Sequence, residues 1–145
     1  MSSTSQSSRS LARELLAREM SDGRLVSADE AVYGRLYDSL SGSIGQAGYL
    51  ALVARAMSNA RERHSALALV ALGTAPGPWL PGLNKSVQHH GDAAAIEAVV
   101  EALAELVELL SRFVGRTLAI RLIERAWPEQ IQQDQPHRHP EEQDG

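Results

Sequence analysis

His64 is the residue whose type and position best suit chemistry. It falls between Ala60 and Leu67 in a run of apolar residues three and four apart, where an imidazole must find a hydrogen-bond partner or titrate. In that place it would contact a small ligand, ligate a metal or haem, or accept a phosphoryl group; the plainer alternative is an edge-of-core histidine with its hydrogen bonds met. The surrounding Arg61-Glu62-Arg63-His64-Ser65-Ala66 does not resemble a phosphotransfer signature. Trp79 is the second candidate. It either lines a pocket together with Tyr33 and Tyr37 or plugs the interior, as buried aromatics normally do. His89 and His90 are adjacent, so their rings are expected to point apart rather than form the two-ligand clamp of histidines four apart on a helix. His137 and His139 lie in a polar tail and would hold a transition metal only weakly.

Glu97, Glu101, Glu105 and Glu108 invite comparison with carboxylate-bridged di-iron bundles, but those need Glu-x-x-His pairs facing inward. No histidine follows at that spacing, so a solvated helix face is expected and no metal or cofactor is assigned. The single lysine, Lys85, is expected in solvent. No catalytic residue is assigned either. The chain has no Gly-x-Ser-x-Gly elbow, dinucleotide fingerprint, phosphate-binding Lys-Ser/Thr loop or His-Glu-x-x-His pair. It has no cysteine, which excludes disulfides, thiolate metal sites and Cys nucleophiles together.

The elements that must carry these residues read as helices. Leu11, Leu15, Leu16 and Met20 stripe a first helix from about Arg9 to Ser21, after a Ser-rich lead over residues 1–8 that is expected to be disordered. Ser27-Ala28-Asp29-Glu30 has the capping-box pattern and opens a second, with Tyr33, Leu36, Tyr37, Leu40 and Ile44 on its apolar face. Gly42, Gly45 and Gly48 then mark a turn or a close helix contact. Leu50, Val53, Met57, Ala60, His64, Leu67 and Ala71 form the seam of a third helix, from about Gln46 to Leu72. Prolines and glycines between Gly73 and Gly91 predict a long loop, of the kind that is usually functional or flexible. The last helix opens at Asp92 as N-cap and ends before Pro128; Gly115 leaves open whether it is one rod or two. Its face is Ile96, Val99, Val100, Leu103, Leu106, Val107, Leu110, Phe113 and Val114, with the four glutamates opposite.

Composition agrees with one all-α domain: 145 residues, 43% hydrophobic and only 4% aromatic. The net charge of −4 resides wholly in the tail from Pro128, where five acids face one arginine; the preceding 127 residues balance 13 basic against 13 acidic side chains. A neutral body with an acidic tail is a poor footprint for nucleic acid, which needs a basic face. No apolar run is long enough to span a bilayer, and the start of the chain lacks the apolar stretch of a secretory leader, so a cytoplasmic location is expected.

The segment Phe113-Val114-Gly115-Arg116-Thr117-Leu118 and onward to Ala126-Trp127-Pro128 resembles the C-terminus of an uncharacterised set of small bacterial all-α proteins. Those chains end an amphipathic helix with Phe-Val/Ile-Gly, an Arg- and Leu-containing stretch and Ala-Trp-Pro. The run Gly45-Gln46-Ala47-Gly48-Tyr49-Leu50 is similar to theirs as well, although they often carry an acid where Arg116 stands. The resemblance covers roughly Ser39 to Pro128 and implies a bacterial helical module, with no activity attached.

These readings converge on a four- or five-helix bundle over residues 9–128, with a long Pro/Gly loop and disordered termini at 1–8 and 129–145. The expected function is non-enzymatic: a regulator or adaptor working by protein–protein contact. The acidic first half and basic second half of the last helix suggest an antiparallel homodimer through Ile96, Val100, Leu103, Val107, Leu110, Arg112 and Arg121. The alternative is a small-molecule or metal sensor with a pocket around His64. Partners are expected to be a second copy and another protein, with neither nucleic acid nor membrane.

Overall fold

The protein is described by a computed structural model over residues 5–20, 24–68, 70 and 82–128. Six α-helices occur among these residues: α1 (Gln6–Glu19), α2 (Leu25–Ile44), α3 (Gln46–Arg61), α4 (Leu83–His90), α5 (Asp92–Val114) and α6 (Arg116–Arg125), with one 3₁₀ turn at Ser65–Leu67 and no strand. Trp79, Leu80, Ala71, His137, His139 and the tail beyond Pro128 lie outside the described residues, and so do residues 1–4 of the lead.

The long helix α5 is the centre of the bundle. It packs chiefly against α3 and α1, and also against α4, α6 and the 3₁₀ turn. Every residue from Ala98 to Val107 is buried, glutamates included. A helix covered on all sides is a core helix rather than a surface one. Ala95, Ala98, Ala102 and Ala104 make this possible, because small side chains let neighbours approach from several directions. The expectation of a two-faced helix with a solvated glutamate stripe is therefore corrected: α1 lies along one flank and the end of α3 along another, and between them they close over the polar side.

Several boundaries move for identifiable reasons. α1 starts earlier than the Ser-rich lead suggested, since the Ser5 hydroxyl accepts from the Ser8 amide as an N-cap and Ser8 is buried. α2 starts at Leu25, not at a capping box on Ser27, because Leu25 already belongs to the buried face and the Ala28 amide donates to the Arg24 carbonyl. α3 stops at Arg61, about ten residues short of the predicted end. The Arg63 and His64 amides both fold back onto the Ala60 carbonyl, and the Arg61 guanidinium holds the Val70 carbonyl at 2.6 Å. The predicted loop at 73–91 contains α4, bounded by Gly82 and Gly91.

Gly115 divides the predicted last helix. With φ 94° and ψ 151°, it sits in a region that residues with a Cβ scarcely visit. Its amide donates to Ser111 at 2.8 Å, and its carbonyl accepts from Ala119 at 2.9 Å, so one residue ends α5 and begins α6. Gly45 and Gly91 repeat the arrangement between α2 and α3 and between α4 and α5.

Candidate functional site

Three features of the fold carry polar groups where a bundle of this kind would ordinarily be apolar. The first is a seam along α5. Glu97, Glu101, Glu105 and Glu108 lie one turn apart on one face, pointing into the crevice between α1 and the end of α3. Arg13 makes a two-pronged pair with Glu97 at 2.8 and 3.1 Å on the exposed rim. Below it, Arg9 Nε donates to Glu101 at 3.1 Å, and Arg63 bridges Glu101, at 2.6 Å, to Glu105. Asn59 Nδ2 completes Glu105 at 3.2 Å. At the far end Glu108 accepts from the Ser5 amide at 3.1 Å and the Ser8 hydroxyl at 2.7 Å. The hydrogen bonds from Arg13 hold the Glu97 carboxyl below its ordinary range, and those from Ser5 and Ser8 do the same for Glu108.

The chemistry open to the seam is narrow. Guanidinium groups occupy both oxygens of Glu101 and reach Glu105, so neither carboxylate has a free lone pair turned to a substrate, as a general base requires. Arg63 also stands where a bridging cation would sit. No group of three or more His, Asp or Glu side chains among the described residues is placed to hold a metal. The seam ties three helices together.

The second feature is Asp29. It is fully buried, and neither carboxylate oxygen has a hydrogen-bond partner. Burial, reinforced by the charge of Glu30, pushes its carboxyl well above 3.8, the ordinary value, so it holds its proton to higher pH than a solvated carboxylate does. Its neighbours in the interior are Tyr33 and Tyr49, whose phenols are raised by the same burial and by Asp29 itself; Tyr49 donates to the Tyr33 carbonyl at 3.0 Å. Sequence reasoning assigned Asp29 to a capping box and missed it. The available signal was its register, four residues after Leu25 and four before Tyr33 on the apolar stripe.

The third feature is the corner between α5 and α6. The chain's only phenylalanine, Phe113, is 64% exposed there, and Leu118 is 42% exposed. They are the exposed large apolar side chains among the described residues. Arg112 lies on α5 and Arg116, Arg121 and Arg125 on α6, and all four are exposed. Arg116 leans on the Ser7 and Ser8 hydroxyls at 3.0 and 3.5 Å. At the other end of α6, Trp127 is buried between two guanidiniums, Arg18 at 5.4 Å and Arg35 at 5.5 Å from the ring centroid. Its indole N–H donates to Glu19 at 2.8 Å. Arg35 and Ser39 then donate to the Ala126 and Leu122 carbonyls, fastening the end of α6 to α2.

The sequence-predicted candidates scatter. His64 is half-buried, in extended backbone, between α3 and the 3₁₀ turn. Tyr33 faces the core, and Tyr37 packs edge-on against Tyr49 at 5.7 Å. None of His64, Tyr33 and Tyr37 lines either of two cavities among the described residues. A cavity of about 460 Å³ lies elsewhere, with Met20, Arg24, Leu25, Val87, Asp92 and Ile96 in its lining. His89 and His90, expected to diverge, meet edge to face at 5.0 Å in the last turn of α4. Of the expected interface, Val100, Leu103, Val107 and Leu110 are at most 3% exposed, buried in this chain's own core, and Ile96 is half-buried against it. Arg112 and Arg121 alone stand in solvent.

No helix among the described residues is long and apolar enough to cross a membrane. Comparison of the chain with protein-family models, curated proteins and solved structures gives no match.

Proposed function

We propose that the protein is a non-enzymatic helical interaction module, a regulator or adaptor that works by protein–protein contact through the α5–α6 corner. The observation behind this is the exposure of Phe113 and Leu118 on either side of Gly115. A scattered surface leucine means little. A phenylalanine and a leucine two residues before and three after one bend, with exposed arginines on the same two helices, combine residue types that dominate interface energetics. The Trp127 joint and the α5 seam support the reading in another way: they fix the two helices from behind, so the corner is presented in one geometry.

The antiparallel homodimer expected from the charge layout needs the acids of α5 free to meet the arginines of a second copy. Glu97, Glu101, Glu105 and Glu108 already have partners within the chain, so the corner arginines are better matched to a different protein.

A photo-crosslinking residue placed at position 113, with exposed position 85 as the control, tests the proposal in cells that make the protein. A discrete protein adduct from 113 and none from 85 is expected. Equal adducts from both positions, or none, would sink it. In that case a mass lost on denaturation in native mass spectrometry would favour a small-ligand sensor built on the 460 Å³ cavity.

A further inference from the structure

We infer that the partner surface read by the α5–α6 corner is an acidic amphipathic helix, whose apolar stripe covers Phe113 and Leu118 and whose carboxylates pair with Arg112 and Arg121. This rests on the interaction-module reading and specifies the occupant.

The charge argument comes first. From Arg112 to Arg125 the chain carries four arginines and one acid, Glu124. Arg112 and Arg121 form no ion pair among the described residues, whereas Arg9, Arg13 and Arg63 are engaged with α5 acids. The cationic groups are arginines in a chain with a single lysine, and that lysine lies on α4. A guanidinium offers a planar fork that matches a carboxylate oxygen for oxygen, which an ammonium does not.

Shape selects the form of the partner. Leu118, Arg121 and Arg125 follow one face of α6 at three- and four-residue steps, and Phe113 stands beyond Gly115 at the end of α5. A partner must therefore set apolar side chains on both sides of the bend with acids flanking them. Residues one turn apart on an amphipathic helix, about 5.4 Å along its axis, do this directly. No sheet edge exists among the described residues to capture an extended strand. The corner is also preorganised, because the hydrogen bonds through Gly115 lock the angle between the two helices, so little conformational freedom is lost on docking. An anionic bilayer shares the attraction to arginine, but its headgroups present a flat field with no fixed carboxylate pair for the forks of Arg112 and Arg121 to match.

The test uses fluorescence anisotropy with the full chain. The probe is a labelled peptide of about 20 residues carrying leucines at i, i+3, i+4 and i+7 with glutamates between. Controls are the same leucine pattern with lysines and vesicles of phosphatidylglycerol and phosphatidylcholine in equal parts. Saturable binding of the acidic peptide alone is expected. Phe113→Ser with Leu118→Ser should weaken it by roughly tenfold or more. Arg112→Ser with Arg121→Ser should weaken it by about tenfold and flatten its salt dependence. All four side chains are exposed, so the helical circular dichroism of these variants should not change. Equal binding of acidic and basic peptides, insensitivity to the variants, binding to vesicles only, or self-association through residue 113 would each overturn the inference. If the crosslink from position 113 persists without acidic-peptide binding, the corner is an interface of different chemistry. If both fail, the interaction-module reading falls with it.

Discussion

Two places in the bundle bury acid, and the chain treats them in opposite ways. Along α5, Glu101 and Glu105 are 3% exposed and reached by Arg9, Arg63 and Asn59. In α2, Asp29 is 0% exposed and reached by nothing. A paired carboxylate can stay charged in an interior because its partner replaces the water it lost; an unpaired one keeps its proton. The lesson is that burial alone does not decide a side chain's charge. The groups facing it do: α5 has α1 and α3 on its polar side, whereas Asp29 has Tyr33, Tyr49 and the like charge of Glu30.

The most forceful way to break this contrast is to make Glu101 and Glu105 resemble Asp29. Arg63→Ala takes from two buried carboxylates the guanidinium that they share, and should lower unfolding stability by about 3 kcal/mol in urea denaturation. Adding Glu101→Gln and Glu105→Gln to Arg63→Met removes the buried carboxylates together with the guanidinium they share, leaves only the partly exposed Arg9 of that set, and should recover most of the loss. If Arg63→Ala proves neutral, the bridge is not what keeps the seam together.

The converse experiment acts on Asp29. Its carboxyl is raised above 3.8 in the folded state, so its contribution is fully present below pH 3.8 and declines as pH rises from there towards the folded value, while the unfolded chain ionises and the folded one does not. Wild-type protein should therefore lose stability as pH rises above 3.8, at a slope no steeper than about 1.4 kcal/mol per unit. Asp29→Asn should abolish that slope, and a retained slope in the variant would place its origin elsewhere. Glu97 and Glu108 run the other way, since their lowered carboxyls add stability above pH 4.5 that is lost in acid.

The smallest effect is expected on the rim of the seam. Arg13 and Glu97 are each about half exposed, so solvent screens their two-pronged pair. Arg13→Ala should change stability by less than about 1 kcal/mol, and less again at high salt. A loss as large as that from Arg63→Ala would show that exposure is not what separates the two ends.

Much of this was legible in the residues. The periodicity of α5, the pause at Gly45 and the helical class follow from spacing and glycine placement, whereas Gly115 marked a place where the last helix could break without deciding between one rod and two. What escaped was the number of neighbours each helix has. Periodicity divides a helix into faces but does not say whether a polar face meets water or another helix's arginines. Glu101 and Glu105 therefore read as solvated, although the surrounding Ala, Val and Leu on every side of the helix hinted at full burial. The same gap turned Val100, Leu103, Val107 and Leu110 into an expected dimer interface, when α1 and α3 of the same chain already cover the helix. The early stop of α3 was hidden because Arg63 and His64 continue a helical spacing. At its end the Ala60 carbonyl takes both the Arg63 and His64 amides, and the Arg61 guanidinium reaches the Val70 carbonyl, a contact that no local periodicity contains.

The one-residue junctions at Gly91 and Gly115 have a consequence for how such a sequence can vary. Successive helix residues are separated by about 100° around the axis. One residue added beside Gly115 would turn α6 by that angle, taking Leu122 and Ile123 from the core and bringing Arg121 toward it. From Gly91 to Arg125 the chain thus behaves as a phased ruler. Sequences that keep this architecture can exchange side chains along that stretch but cannot change its length, so relatives should align through it without a gap.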